Sequence, residues 1–140
     1  MITSNFKYLD KYDPQLSKLG SIAEYYLYSD PNSCIFKLGL LSESIVNTIF
    51  DIERLSIPED KNTLATKIIL LKRERILPPT IDNILYSLRT HRNNAVHAGF
   101  DSVDNAKILL KMAYNLSNWF IKVYIDKQYQ PRPFLMPEKA

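Results

Sequence analysis

A chain of 140 residues with 46% hydrophobic side chains falls in the usual size range of one domain and can bury a core without disulfide or metal staples. Its single cysteine, Cys34, has no intramolecular partner, and two histidines are too few for a Cys/His zinc cluster, so neither metal nor cofactor is expected and a reducing compartment fits best. The net charge of +3 neither requires nor repels a nucleic-acid partner. No continuous apolar run approaches the roughly 20 residues of a bilayer span, and Met1 to Phe6 lacks the regions of a signal peptide. The expectation is therefore a cytoplasmic protein with no membrane partner.

In chain order, Leu16, Leu19, Ile22, Ala23, Tyr26 and Leu27 form an amphipathic stripe that predicts a helix over residues 14 to 29, with Gly20 lowering its propensity but not forbidding it. A second helix is expected to start at Ser29-Asp30-Pro31, to turn Ile35, Leu38, Ile45, Ile49 and Ile52 inward, and to end near Leu55. After the break at Pro58, Leu64, Ile68, Leu70 and Leu71 suggest a short helix closed by Pro78-Pro79. The next helix places Thr80 or Asp82 in its first turn and Ile81, Ile84, Leu85 and Leu88 inward.

The most continuous stripe follows: Ala106, Leu109, Leu110, Ala113, Leu116, Phe120, Val123 and Tyr124 predict one long helix from about Ser102 to Lys127, the expected central packing element. Asp101 or Ser102 can cap its first turn, with Gly99 as a joint before it. Short connections favour an all-α, up-and-down bundle of four main helices plus a short one. Residues 1–129 would form this bundle. The proline-rich segment 130–140 reads as an extended linker towards a further domain.

The chemistry available to this chain concentrates between Leu88 and Gly99, which hold both histidines, two arginines and two asparagines. Asn93 and His97 are four apart and share a helix face, Arg89 lies one turn earlier on that side, and Arg92 flanks them. Arg92 and His97 stand about 140° apart on an ideal helix, so one ligand can meet both only if the helix loosens near Gly99 or the long arginine wraps around.

The pattern Arg92-Asn93-Asn94-Ala95-Val96-His97, an arginine followed by a polar residue with histidine five positions on, resembles the signature of HEPN domains, which are small helical bundles. Ser4-Asn5-Phe6, Tyr28-Ser29-Asp30-Pro31, the helix containing Glu43, Leu88 to His97 and the proline-rich tail are similar to the N-terminal domain of restriction subunits of type I restriction enzymes and related DEAD/DEAH-box helicase proteins. This resemblance implies an accessory domain serving assembly and nucleic-acid contact, with other domains or subunits of a restriction or defence complex as partners. No Gly-Lys-Ser or Gly-Lys-Thr phosphate loop is present, so ATP hydrolysis belongs at most to a parent protein. Gly39 and Leu40 stand where many relatives carry a basic residue before the glutamate, which weighs against a charge network around Glu43.

HEPN domains commonly pair through the helices bearing this motif, so the resemblance implies a symmetric homodimer of this chain with Arg92 to His97 at or beside the interface; catalytic HEPN proteins are metal-independent ribonucleases that pair two copies of the motif across such a dimer. The alternative function implied is such a ribonuclease, acting on RNA as a homodimer. His97 would then be the acid/base, Arg92 the phosphate clamp, and Asn93 or Asn94 would orient either one. Arg89 and Arg92 are the candidate nucleic-acid contacts. Structural alternatives stand beside these roles: His97 can cap a helix end, and Arg92 can pair with Glu43 or fork onto carbonyls. His91 and the run Lys72-Arg73-Glu74-Arg75 read as solvated helix surface, Cys34 as a small core residue, and Tyr25, Tyr26 and Tyr28 as a packed edge.

Overall fold

The computed structural model describes residues 4–95 and 102–139, and among them the chain is all-helical with no strand. Five helices follow a short 3₁₀ turn at Lys7–Lys11: α1 (Pro14–Tyr26), α2 (Pro31–Ile52), α3 (Leu64–Arg73), α4 (Pro79–Ala95) and α5 (Val103–Phe120). Their starts follow local chemistry. Asp13 accepts a hydrogen bond from the Leu16 N–H at 3.1 Å, Asp30 from Ser33 N–H at 3.2 Å, and Ser102 from Asn105 N–H at 3.1 Å. Pro14 and Pro31 occupy the first turns of α1 and α2, where a missing N–H costs nothing. Thr63 and Thr66 close a reciprocal capping box on α3.

The first helix stops at Tyr26, before the expected residue 29, because Asp30 must turn extended to cap α2 and precedes a proline. The centre of the bundle is α2, which packs against α1, α3, α4 and α5, whereas the extensive contacts of α5 are with α1, α2 and α4. The continuous stripe on α5 thus marks a buried helix but not the central one. By length and composition α2 is also apolar enough to cross a membrane, which a count of consecutive apolar residues overlooks; more than half of its most apolar stretch is buried inside the bundle.

Two residues expected inside lie outside. Ile52, in the last turn of α2, is 48% exposed, and Val123 is 50% exposed. The second follows from a π-helical turn at Ile121–Ile125 that continues α5 with a wider winding. That turn shifts the inward position to Ile121, which is fully buried.

Both early glycines seat a neighbour. A Cβ on Gly20 would stand 2.2 Å from the ring of Phe6, itself fully buried, so the N-terminal segment reaches α1 only because that position is bare. The tail runs extended and is bound along its length. The Asn5 side chain donates to the Leu135 carbonyl (2.7 Å) and accepts from the Leu135 N–H (2.8 Å), Tyr114 donates to the Arg132 carbonyl (2.6 Å), and the Tyr28 hydroxyl bonds the Pro137 carbonyl. The Tyr8 hydroxyl lies 2.8 Å from that of Tyr114 and 2.7 Å from that of Tyr129. Arg132 covers the Tyr8 ring at 4.1 Å.

Candidate functional site

The polar segment singled out by the sequence begins on the last two turns of α4. Arg92 packs its aliphatic stem against α2 at Gly39, where a Cβ would come within 2.2 to 2.5 Å of the arginine Cδ, Cγ and Cβ. One turn further along α2, Glu43 Oε2 accepts a hydrogen bond from Arg92 Nη1 at 2.8 Å. Gly39 and Glu43 are four apart, so one face of α2 supplies both the gap for the stem and the charge for the head. Among the described residues a single ion pair across helices therefore stands at Glu43, the pairing with Arg92 given above as the structural alternative. The small residue that weighed against a network makes the pair possible.

Other predicted site residues take different surroundings. Asn93 and Asn94 are exposed, while Arg89 is half-buried with its guanidinium 5.7 Å from the ring centre of Tyr86. Arg89 and Arg92, three residues apart, are thus held by different partners. The His91 ring nitrogen Nδ1 lies 2.8 Å from the Ser87 carbonyl one turn back, in keeping with a helix-surface role. The Asn32 side chain, near the start of α2, donates to the Ala95 carbonyl and so fixes the end of α4 just before the remainder of the motif. His97 and Gly99 lie outside the described residues.

Cys34 is fully buried, and burial first, then the charges of Glu24 and Asp30, pushes its thiol up to about 12, which suits a core residue and not a nucleophile. Among the described residues no group of three or more His, Cys, Asp or Glu side chains is placed to hold a metal. Several concave regions among the described residues escaped the sequence, and two of them adjoin α1 and α4. One, of about 540 Å³, opens between α1 and the tail beside Tyr25 and Tyr28, above the buried carboxylate of Glu24. That carboxylate accepts from the Ser4 hydroxyl (2.6 Å) and from the backbone and side-chain N–H groups of Asn5 (3.1 and 2.9 Å). It therefore anchors the N-terminal segment. The other, of about 280 Å³, is a groove between α3 and α4 lined by Ile69, Lys72, Asp82, Asn83, Tyr86 and Arg89. The spacing of Asp82, Tyr86 and Arg89 on α4 was the available signal for it.

Fold and surface define a small helical bundle whose most polar helix end carries paired and exposed cationic and amide side chains. The chain belongs to the family described as a domain of unknown function, DUF4145, whose model matches residues 21–139. It is also similar to the type I restriction enzyme EcoKI endonuclease subunit of Escherichia coli strain K12, at 23% identity over 142 aligned positions that take in the whole of this chain. The chain spans 12% of that relative's length. No solved structure matches it.

Proposed function

We propose that this chain is an accessory helical domain of a restriction or defence protein, in which the end of α4 contacts nucleic acid and the rest of the bundle docks on other domains or subunits of the complex. The observation that carries this reading is the placement of Arg92: its stem is fixed on Gly39 and its head, on a side chain 23% exposed, is paired with Glu43, 39% exposed, so a phosphate arriving at this end of α4 would have to displace that carboxylate. The likeness to a restriction-enzyme subunit along the full chain supports the setting. A cytoplasmic location goes with it. In this reading residues 1–129 are the bundle, and residues 130–140, strapped to it as far as Pro137, lead towards a further domain.

The purified chain should bind single-stranded nucleic acid at low salt, and Arg92→Ala should weaken that binding. Binding that is absent at low salt, or indifferent to Arg92→Ala, would leave only the assembly role.

A second reading is favoured by the sequence Arg92 to His97 alone: a HEPN-type, metal-independent ribonuclease in which two copies of the chain join their motifs. His97 would act as acid/base, Arg92 as the clamp and Asn93 as the orienting group. Cleavage of single-stranded RNA in the presence of a chelator, lost in His97→Ala, supports it. Cleavage that persists in His97→Ala, or sedimentation of the chain as a monomer only, overturns it.

A further inference from the structure

We infer that the groove between α3 and α4 is a subsite for single-stranded nucleic acid, in which a base stacks on Tyr86 while Lys72 and Arg89 hold the neighbouring phosphates. The inference rests on the nucleic-acid reading above and extends it from Arg92 to a site with its own chemistry. Tyr86 is 60% exposed on α4 and Ile69 is 57% exposed on the facing side of α3. Exposure alone does not single them out, since Tyr25, Ile108 and Leu135 are equally open; what marks this groove is an open ring and an apolar side chain set among cations. Arg89 holds its guanidinium over the tyrosine ring, 5.7 Å from its centre, so that a base would stack on the opposite face, and Lys72 reaches across the groove to Asp82 at 3.4 Å. The lysine head is exposed (68% of its side chain), so the bridge is a weak surface pair that a phosphate can displace.

The mixture selects among ligands. A base needs a flat apolar partner for its face and donors and acceptors for its edge; Tyr86 offers the first, the Asn83 amide and Asp82 carboxylate the second. A phosphate backbone needs cations, which Lys72 and Arg89 supply, with Arg73 and Arg75 at the exposed end of α3 outnumbering Glu74. An acidic peptide would use the cations and meet Asp82 just as a phosphate backbone does, but would leave the ring without a role. Asn93 extends the same face of α4: it is seven residues from Tyr86, two turns and roughly 10 Å along, so one oligonucleotide can touch both, while Arg92 lies about 120° around the helix on the side of α2.

The test is fluorescence anisotropy of the full chain with labelled oligouridylate and oligodeoxythymidylate, against the corresponding duplexes. Tyr86→Ala should weaken single-strand binding about five-fold or more, and Tyr86→Phe or Tyr86→Trp should restore it. Lys72→Ala should lower the slope of log affinity against log salt by about 0.7, the value of one phosphate contact to a single strand. The exposure of Tyr86 makes a folding defect a minor concern, and an unchanged melting temperature checks it. Unchanged binding in Tyr86→Ala, with Arg92→Ala still weakened, overturns the subsite and leaves the nucleic-acid reading standing. A chain that binds neither oligonucleotide removes both. Equal losses on single strands and duplexes, or displacement by oligoglutamate as effective as by unlabelled oligonucleotide, would also overturn it, the latter marking the groove as a surface for acidic protein.

Discussion

Around Tyr8, three phenolic hydroxyls, the Asn118 amide and the backbone of Arg132 are joined within hydrogen-bond distance, and each polar atom faces another of the same chain. The groove between α3 and α4 holds one exposed ion pair and one cation over an open ring. Both regions set an arginine against a tyrosine ring, Arg132 on Tyr8 in the first and Arg89 on Tyr86 in the second. What separates them is where the partners are: a polar group satisfied inside the fold serves stability, and one aimed outward is available to a ligand. Composition alone would have ranked them equal. Disturbing the first should therefore unfold the protein, and disturbing the second should change what it binds.

The largest contrast is expected at high pH. Tyr114 and Tyr129 are held well above the ordinary phenol range by burial first and by the Tyr8 hydroxyl second, and Tyr124 is pushed up to about 12 by burial, then by Glu53. A folded-state value raised above the unfolded one, about 10, favours the protonated side chain. The stabilisation is complete below about pH 10 and is lost as pH rises through the folded values. Phenolate absorbance followed together with circular dichroism should show these tyrosines ionising late, as helix is lost. Ionisation of all nine tyrosines near pH 10 with helix intact would contradict the buried cluster.

Next in size is the core. Phe120 is fully buried on α5, while Ile68 is one of two buried residues on α3. Phe120→Ala should cost about 3 to 5 kcal/mol in denaturant titration, and Ile68→Ala, at a site where α3 can settle into the gap, near the lower end of about 2 to 5 kcal/mol. Equal losses would mean that α3 is as firmly packed as α5.

Third comes Gly39→Ala. Its new methyl would meet the Arg92 stem from Cβ to Cδ, and since the innermost of these atoms cannot swing away, α2 and α4 must separate slightly. Overpacking of this kind costs about 1 to 3 kcal/mol. Loss of nucleic-acid affinity together with stability would tie the seat of Arg92 to the contact surface. Loss of stability alone would make Gly39 purely a packing residue.

The helices were legible from their apolar stripes and, at α2 and α5, because their starts depend on neighbours in sequence: Asp30-Pro31 and Ser102 announce their caps before any tertiary contact is known. The α4 segment was legible for the same reason, since its polar residues interrupt an apolar period. The seat of Arg92 was not, because Gly39 lies far from it in sequence and its meaning depends on which helix crosses there. The strapping of the tail was hidden likewise: Asn5 and Leu135 are 130 positions apart, and an amide that imitates a backbone edge leaves no periodic trace. The π-helical turn displaced Val123 through winding, which a fixed 3.6-residue period cannot anticipate.

The smallest effect should be a gain. Arg75 has φ 59°, a left-handed conformation that suits glycine, and it closes α3 with its own N–H on the Lys72 carbonyl and the Ile76 N–H on the Leu71 carbonyl, both at 3.0 Å. Holding a side chain there costs about 1 to 2 kcal/mol, against which glycine would add about 0.4 to 1 kcal/mol of backbone freedom to the unfolded chain. Arg75→Gly should thus stabilise by about 0.5 to 1 kcal/mol in denaturant titration, provided the exposed side chain contributes little to the fold. Arg75→Gln separates strain from charge, because it removes the cation and keeps the strained backbone. If Arg75→Gly stabilises while both variants weaken oligonucleotide binding alike, the arginine is kept at a strained helix end for its charge, as the outward-facing edge requires. If Arg75→Gly destabilises, the side chain is part of the packing, and the division between an inward tyrosine cluster and an outward basic edge would have to be redrawn at α3.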